Sequence, residues 1–386
     1  SSSLMGKTSS QFMRRVLVAR GGALSAKSGL GGTHARFLDL LKSGDVEGFH
    51  CAESLEYPIT NNPIKRGFLR WISHPKKVKR TSSHPEIDLL HITDQEQAHL
   101  IPQNANIPVS VYVHDLFHIF PTTMNIDNEV IEIGDQKPGF LRRRDLKNLR
   151  SGLSRADLFL CNSESTKTQV KRHFPNIPAI TLPFSIDIQK YNPRTNPLPF
   201  PEWFDESCQN MLLVGSEEPR KRIPFLIRVL GSLSAEEKSK FIIHKIGFES
   251  SPKSRGKIEQ LAREHSVRLN WIGGVDEHDL IASYQHANAL LFPSAAEGFG
   301  LPVVEAMAAG TMILASDLPA HNMHIRPEFL IHAENHDAWK KAMSQQLSQP
   351  DDVSESMIED AQRYSDENFC KQLCEAWQHL FEDKIR

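Results

Sequence analysis

Short apolar runs separated by stretches of helical periodicity recur along the whole chain. The first run, RRVLVA at 14–19, is rich in β-branched residues and is followed by a glycine pair, which is typical of a buried parallel strand. Further strand-like runs occupy 87–92, 108–115, 157–163 and 179–186. Because strands alternate with helices, the pattern predicts a parallel sheet covered on both faces.

The same pattern restarts after a proline-rich stretch. Residues 191–205 hold four prolines, which fit neither a helix interior nor a central strand, and they predict an interdomain linker. Strand-like runs then resume at 210–216, 241–247, 267–273, 289–294 and 311–316. The fold class predicted is therefore α/β, with two Rossmann-like, doubly wound parallel-sheet domains at 14–190 and 206–364 that face a central cleft.

The two ends of the chain carry different patterns. Residues 1–13 are polar and lack the apolar core of a secretory signal, so they predict a disordered tail. Residues 365–386 place apolar side chains four positions apart, which predicts an amphipathic helix that packs back across the domains. These side chains are Phe369, Leu373, Trp377 and Phe381.

Composition narrows the class of protein. A length of 386 residues suits two domains of ordinary size, and a formal net charge of −2 argues against a protein that holds nucleic acid. The five cysteines are scattered and odd in number, which indicates reduced thiols and a cytoplasmic location. No stretch approaches the ~20 apolar residues of a membrane span.

The sharpest chemical signal is SAAEGFGLPVVEAMAAGT at 294–311. A strand ends before it, Pro302 suits the start of a helix, and Gly310 suits the position just past its end. The amides around Gly300 and Leu301 then form an anion site at the helix N-terminus. Two carboxylates flank this site, one before the helix and one inside it: Glu297 and Glu305. Such an arrangement suits a ligand whose hydroxyl groups flank a phosphate.

A basic turn follows the first strand of the second half. In LLVGSEEPRKRIPFL, Arg220 and Lys221 come where a helix should begin. Fixed cations there can bind an anionic ligand, and where a reaction develops negative charge they stabilise the transition state more than the ground state. By itself, the turn favours a solvated basic face, and only its combination with the two glutamates favours a functional role.

Two further signals lie in the first half. His114 follows a strand, at the sheet edge where doubly wound folds bind ligands, and could hydrogen-bond a ligand oxygen or simply be structural. SGLGG at 28–32 predicts a glycine loop in which Gly31 and Gly32 approach a phosphate or a sugar closely. The loop does not complete the G-x-G-x-x-G fingerprint of dinucleotide-binding proteins, which argues against NAD.

Together these segments resemble the family-4 retaining glycosyltransferases, which have the GT-B fold. The stretch 294–311 resembles the E-x7-E motif of that family, PRK at 219–221 its basic pair, and HDL at 114–116 its H-D-L segment. The resemblance implies that Glu297 contacts the transferred sugar and that Glu305 holds the ribose. It implies catalytic roles for His114, Glu297, Arg220 and Lys221. It implies donor binding by Gly31, Gly32, Ser216, Gly298, Phe299, Gly300, Leu301 and Glu305.

One position departs from the family pattern. Many members carry Arg directly after the strand glycine, whereas this chain has Ser216, so Arg220 is expected to supply that charge. The resemblance implies front-face transfer of a hexose, mannose being favoured, from a GDP- or UDP-sugar with retention of configuration. No D-x-D metal motif is apparent, and neither a metal ion nor a cofactor is expected.

Other functions remain open at this stage. A nucleotide-sugar epimerase or a phosphorylase could use the same two-domain plan, and a non-catalytic subunit could keep the fold and bind only a nucleotide or a glycan. The complete set of Glu297, Glu305, Arg220 and Lys221 favours the transferase.

A basic and aromatic segment lies in the first domain. Residues 62–80 hold seven Lys or Arg, no acidic residue, and interleaved aromatic and aliphatic side chains. This composition fits either an anionic membrane surface, with peripheral docking and a lipid-linked or other glycan acceptor, or a solvated loop.

Overall fold

The computed structural model describes residues 12–24 and 29–382, which form two six-stranded parallel sheets and one antiparallel hairpin. The first domain contains β1 (Arg14–Gly22), β2 (Phe49–Tyr57), β3 (Leu89–Ile92), β4 (Val109–Val113), β5 (Thr122–Ile126), β6 (Glu129–Ile133), β7 (Leu158–Cys161) and β8 (Ala179–Thr181). The second contains β9 (Gln209–Val214), β10 (Phe241–Ile246), β11 (Leu269–Gly273), β12 (Ala289–Phe292), β13 (Ile313–Ser316) and β14 (Leu330–Ile331).

Helices alternate with these strands. Those between β1 and β9 are α1 (Gly29–Lys42), α2 (Pro63–Phe68), α3 (His74–Ser82), α4 (Phe140–Leu153), α5 (Glu164–His173) and α6 (Ile188–Tyr191). Those after β9 are α7 (Ile223–Gly231), α8 (Ala235–Lys238), α9 (Pro252–Glu264), α10 (Glu277–His286), α11 (Leu301–Ala309), α12 (Pro319–Asn322), α13 (His336–Gln346), α14 (Glu355–Ala361) and α15 (Asp366–Glu382). Short 3₁₀ helices lie at Gln95–Leu100, Pro219–Lys221, Pro327–Phe329 and Gln362–Tyr364.

The strand orders confirm the predicted fold class. The first sheet runs β2-β1-β3-β4-β7-β8 and the second β11-β10-β9-β12-β13-β14, with every neighbouring pair parallel. In each sheet the chain first adds strands on one side of its first strand and then adds the remaining strands on the other side. The switch points therefore lie between β1 and β3 and between β9 and β12, where such folds bind ligands.

Three strand pairings escaped the sequence prediction, and the pairing of the two-residue strand β14 with β13 is the shortest of them. Strand β2 lies at an edge and pairs only with β1, so it tolerates exposed polar residues that break its apolar pattern. Strands β5 and β6 form a hairpin whose turn residues, Asp127 and Asn128, have φ values of 51° and 63°. Ile126, Ile131 and Ile133 of the hairpin pack against Ala295, so it joins the first domain to the loop after β12.

Two local predictions need correction. The sequence predicted a glycine loop at 28–32, but α1 begins at Gly29 and places Gly31 and Gly32 in its first turn, where glycine is tolerated. Ser28 lies outside the described residues.

The alternative of a loop at 62–80 is also wrong, because α2, a π-helical turn at Leu69–Ser73 and α3 follow one another directly. The Asn62 side chain caps the start of α2 by accepting hydrogen bonds from the amides of Ile64 and Lys65, at 3.0 and 3.2 Å.

The ends and the connecting segment pack as follows. Residues 1–11 of the predicted tail lie outside the described residues, whereas Phe12 and Met13 are exposed. Helix α15 returns to the first domain, where the Trp377 ring lies against Phe49 with ring centroids 5.2 Å apart. The proline-rich segment rests on the second domain, since the Gln285 amide nitrogen of α10 donates to the carbonyl oxygen of Tyr191 at 3.0 Å.

Candidate active site

The loops after β9 and β12 meet at the switch point of the second sheet. After β9 a single 3₁₀ turn carries Arg220 and Lys221, and α7 follows it. Arg222 ends the turn with a left-handed φ of 56°, and its guanidinium donates to the carbonyl oxygen of Ala333 at 2.8 Å. The turn is thus held in a shape that directs the two preceding cations toward β12.

Glycines define the loop after β12. Gly300 has a φ of 82° and caps the start of α11, while Gly310 has a φ of 69° and caps its end. Both conformations favour glycine, and Pro302 lies in the first turn of the helix. The sequence-based prediction of a helix that begins beside Gly300 and stops at Gly310 is confirmed. At the start of the helix Pro302 has no N–H and the Val303 amide donates to the carbonyl oxygen of Gly300 at 3.0 Å, so the Leu301 amide is the one left without a partner in this first turn among the described residues.

Glu297 lies between two cations that come from a loop 76 residues earlier in the chain. Its carboxylate is 2.6 Å from Lys221 Nζ and 3.1 Å from Arg220 Nη1, and Ser294 Oγ donates to it at 2.8 Å. The Glu297 side chain is 7% exposed, and those of Arg220 and Lys221 are 12% and 13% exposed. We call Glu297, Arg220 and Lys221 the charged cluster.

Mutual attraction keeps the charged cluster ionised despite burial. Burial alone would raise the pKa of Glu297, but Lys221 and then Arg220 oppose it and lower the pKa to about 2. Burial lowers the pKa of Lys221, and the Glu297 carboxylate counteracts part of that effect. Opposite charges at these distances favour the ionised forms, so the cluster carries two cations and one carboxylate at neutral pH.

The loop after β12 is hydrogen-bonded to the first domain. Ser163, the N-cap residue of α5, donates to the carbonyl oxygen of Gly298 at 2.5 Å, and Thr166 Oγ1 donates to it at 3.3 Å. A Cβ at Gly298 would overlap the carbonyl oxygen of His114, so only glycine fits this approach. The two domains therefore meet at the loop that the sequence singled out as the donor site.

His114 lies just past β4 and lines a cavity in the first domain. Its ring Nε2 is 3.1 Å from the carbonyl oxygen of Thr93, and Gln95 Oε1 accepts from its backbone amide at 2.9 Å. Burial lowers the pKa of His114 to about 4, although the Thr93 carbonyl opposes that change. The imidazole is therefore neutral at pH 7, with Nε2 donating to Thr93.

The remaining predicted residues surround this centre. Phe299 is buried, and its ring centroid is 5.0 Å from that of Phe184 in the first domain. Ser216 Oγ donates to Glu218 Oε1 at 3.2 Å, next to the charged cluster. Gly31 and Gly32 lie in the first turn of α1, directly before Thr33 and His34, which line the first-domain cavity.

Glu305 is a buried carboxylate. It is 6% exposed on α11, and the Tyr191 hydroxyl donates to its Oε2 at 3.0 Å. Burial raises the pKa of Glu305 to about 7, although Tyr191 and Tyr284 oppose that rise. Its assignment to the nucleotide ribose stays a prediction.

Two family models match the chain. The model described as Glycosyl transferases group 1 matches residues 201–364, and the model described as Glycosyltransferase Family 4 matches residues 40–190. Together they include every strand of the two sheets except β1, and both loops of the site. The chain belongs to the family-4 glycosyltransferases.

Curated relatives match this glycosyltransferase over part of their length. O-antigen chain mannosyltransferase B of Escherichia coli is 30% identical over 181 residues, which is 45% of this chain and 46% of the relative. The D-inositol 3-phosphate glycosyltransferase of Corynebacterium urealyticum is 33% identical over 131 residues, 32% of this chain and 31% of the relative. The chain thus spans less than half the length of these curated relatives.

Solved structures match over nearly the whole fold. Sucrose-phosphate synthase from Thermosynechococcus elongatus superposes with a TM-score of 0.69 at 17% identity, covering 95% of this chain and 99% of that one. Anabaena HepE, solved in complex with UDP and glucose, superposes with a TM-score of 0.69 at 14% identity, covering 95% and 100%. At these identities the likeness shows the GT-B fold alone.

Sequence reasoning missed several residues of this candidate site. Tyr191 was assigned to the linker, yet it holds Glu305. Ser294 was read as the end of a strand, yet it donates to Glu297. Ser163 had a detectable signal, since a serine before the helical pattern ESTKTQV predicts an N-cap, but its contact with Gly298 crosses 135 residues.

Proposed function

We propose that this glycosyltransferase moves a hexose from a nucleoside diphosphate sugar to a hydroxyl group of a glycan or lipid-linked acceptor, with retention of configuration. The observation that carries the proposal is the buried charged cluster, placed beside the N-terminus of α11 at the switch point of the second sheet. Cations and helix amides are the groups that bind a diphosphate.

The reaction breaks one bond and forms another at the anomeric carbon. The bond from that carbon to the phosphate oxygen breaks, and the acceptor oxygen bonds to the same carbon, while the acceptor proton leaves with the diphosphate. The diphosphate gains negative charge during this step. Arg220 and Lys221 are held in place before the reaction, so they stabilise that charge without reorganising.

The contacts made by the Glu297 carboxylate support a front-face displacement without a covalent intermediate. Both of its carboxylate oxygens are bound, one by Lys221 and Ser294 and the other by Arg220. A carboxylate held this way orients the cations and accepts hydrogen bonds from sugar hydroxyls better than it attacks carbon. The two cations also supply the positive charge that a metal ion would otherwise provide, which supports activity without a divalent ion.

The identity of the donor is proposed from the relatives. O-antigen chain mannosyltransferase B is named for mannose transfer, so we propose mannose as the transferred hexose and GDP-mannose as the donor, with UDP-sugars next. A nucleotide-binding subunit without activity, or a nucleotide-sugar epimerase, remains the competing function. Dependence of turnover on an acceptor separates the transferase from both.

Nucleotides should stabilise the protein in the presence of EDTA. A ligand that binds only the folded state raises the melting temperature by mass action, and a concentration of 100 times the Kd contributes about 2.7 kcal/mol. We expect a rise with GDP or UDP, measured by differential scanning fluorimetry against ADP as the control nucleotide. A rise that appears only when Mg²⁺ is restored would contradict the metal-independent site, and no rise with any nucleotide would contradict the transferase.

We also propose that residues 62–80 hold the enzyme on the cytoplasmic face of an anionic membrane, near a lipid-linked acceptor. Helix α2 and the π-helical turn expose four large apolar side chains: Ile64 at 85%, Phe68 at 53%, Ile72 at 46% and Trp71 at 40%. Lys and Arg side chains accompany them along the same segment. Among the helices that the structure describes, none has the length and apolar content to cross a bilayer.

Replacing Ile64 and Phe68 by serine should weaken binding to phosphatidylglycerol vesicles by roughly tenfold or more, because each side chain contributes apolar surface to the interface. Vesicle sedimentation measures the partition. Phe248→Ser is the matched control, since Phe248 is 55% exposed in the second domain. Equal binding of the double variant and the wild type would exclude this segment as the docking surface.

A further inference from the structure

Two successive carbonyl groups of the loop after β12 are held by side chains from the two domains. The carbonyl oxygen of Gly298 accepts a hydrogen bond from Ser163 Oγ of the first domain at 2.5 Å. The carbonyl oxygen of Phe299 lies 2.6 Å from Nε2 of His324, in the second domain. A trans peptide directs its carbonyl and its N–H to opposite sides, so these two contacts also fix where the amides of Phe299 and Gly300 point.

The amides that follow these carbonyls are available to a ligand. Neither the Phe299 nor the Gly300 N–H has a backbone hydrogen-bond partner among the described residues. Both lie between Glu297 and the first residue of α11, beside the charged cluster. Successive backbone amides next to fixed cations bind anionic oxygens. The orientation of the Phe299–Gly300 peptide therefore bears on how the loop binds a diphosphate.

The neighbours of His324 fix the position of its proton. A carbonyl oxygen only accepts, so Nε2 carries the hydrogen and donates it to Phe299. Burial lowers the pKa of His324 to about 3, so the ring is neutral at pH 7 and Nδ1 is an acceptor. The Tyr364 hydroxyl donates to that Nδ1. Because both ring nitrogens are engaged, the imidazole is held in one orientation.

The backbone on either side of this contact is held as well. The amide of Ile186, which follows β8 of the first domain, donates to the carbonyl oxygen of Tyr364 at 3.1 Å. The Arg363 guanidinium donates to the carbonyl oxygen of Met323 at 3.0 Å and also to that of His324. The imidazole is therefore anchored where the chain passes from the first domain to the second.

Packing alone does not require these polar atoms. The ring centroid of Phe299 lies 4.5 Å from that of His324 and 6.0 Å from that of Tyr364, both edge-on. Apolar rings would supply the same contacts. A buried imidazole and a buried phenol cost free energy unless they are hydrogen-bonded, so their presence points to the bond that they make with the loop.

We propose that His324 and Tyr364 are positioning residues, which hold the Phe299–Gly300 peptide so that its N–H faces the diphosphate of the donor. They act through the loop, since their side chains are buried, with His324 2% and Tyr364 4% exposed. This inference rests on the proposed transferase, because it assumes that the loop binds a nucleoside diphosphate sugar.

Calorimetric titration with GDP-mannose and UDP-glucose, and with GDP and UDP, tests the contact. His324→Phe keeps a planar ring and removes both hydrogen bonds, so binding of whichever nucleotide sugar the wild type binds should weaken roughly tenfold or more. His324→Gln should stay within roughly threefold of the wild type, because its amide nitrogen can still donate to the Phe299 carbonyl.

Tyr364→Phe provides a second and milder test. It removes one hydroxyl group and keeps both the ring and the backbone bond to Ile186. The His324 ring then loses the partner of Nδ1 and is less well oriented, so binding should weaken by roughly threefold or more. This variant decides the question if His324→Phe does not fold.

His286→Phe is the matched control. Its Nε2 also donates to a backbone carbonyl oxygen at 2.6 Å, that of Leu198, but His286 lies just before β12, at the edge where the strands begin. The melting temperature is recorded for every variant. A merely structural contact would lower the melting temperature of both His→Phe variants and leave the affinity of the folded protein unchanged.

The outcomes separate this inference from the function on which it rests. Wild-type affinity in folded His324→Phe or Tyr364→Phe would overturn the positioning role and leave the transferase standing. A loss in His324→Gln as large as that in His324→Phe would also overturn it. If the wild type binds none of the four nucleotides and nucleotide sugars, the proposed function fails and the inference fails with it.

Discussion

Glu297→Gln should lower turnover by roughly 10²–10³-fold while the protein stays folded, which is the scale for removing one group that stabilises transition-state charge. Glutamine keeps the shape of the side chain but loses the charge that holds Lys221 at 2.6 Å and Arg220 at 3.1 Å. Both cations then shift or become less well oriented. The effect is measured as the turnover rate at a saturating donor concentration, with the acceptor-dependent release of the nucleotide as the readout.

The same variant should become less stable without nucleotide, because two buried cations have lost their common partner. Breaking a buried ion pair costs about 3–5 kcal/mol, and a bound diphosphate should restore part of that loss by supplying negative charge. Glu355→Gln is the control, since its pair with Arg194 is also short at 2.7 Å but largely exposed. Near-normal turnover of folded Glu297→Gln would refute the assignment of the charged cluster.

Trp377→Ala should destabilise the protein by about 3–5 kcal/mol, the usual cost of truncating a fully buried large aromatic side chain. Trp377 is 0% exposed, its ring packs on Phe37 and Phe49, and its Nε1 donates to Ser110 Oγ at 3.0 Å. The terminal helix therefore completes the core of the first domain. Urea unfolding measures the change through the transition midpoint.

His379→Ala supplies the comparison on the same helix, because its side chain is 68% exposed. Substitutions at exposed positions usually change stability by less than about 0.5 kcal/mol. A loss for Trp377→Ala that is no larger than the loss for His379→Ala would mean that α15 does not hold the first domain together.

The local sequence pattern was enough to predict much of the secondary structure. Apolar runs bounded by glycine and proline predicted the central strands, because a strand buried on both faces must be apolar throughout. Gly300, Pro302 and Gly310 predicted the limits of α11, because each residue suits a particular backbone conformation. The four-residue spacing of Phe369, Leu373 and Trp377 predicted the terminal helix for the same kind of local reason.

Irregular and edge elements were less predictable. Strand β2 has polar residues because one side of it has no neighbouring strand, and the β5–β6 hairpin is short and mostly exposed. Neither has the continuous apolar pattern of a central strand. In contrast, the glycines of α1 suggested a loop, because glycine favours loops in general, but they lie in the first turn of the helix, where glycine is tolerated.

The sequence by itself determined which residue types are present, which strands are central and where the loops with chemistry begin. Only the tertiary structure decided which of them meet: Lys221 with Glu297, Tyr191 with Glu305, and Ser163 with Gly298. It also decided that Tyr364 and His324 lie together beside the Phe299 carbonyl. Such contacts join residues far apart in the chain, and local conformational preferences carry no information about them, because strand order and domain closure set these distances.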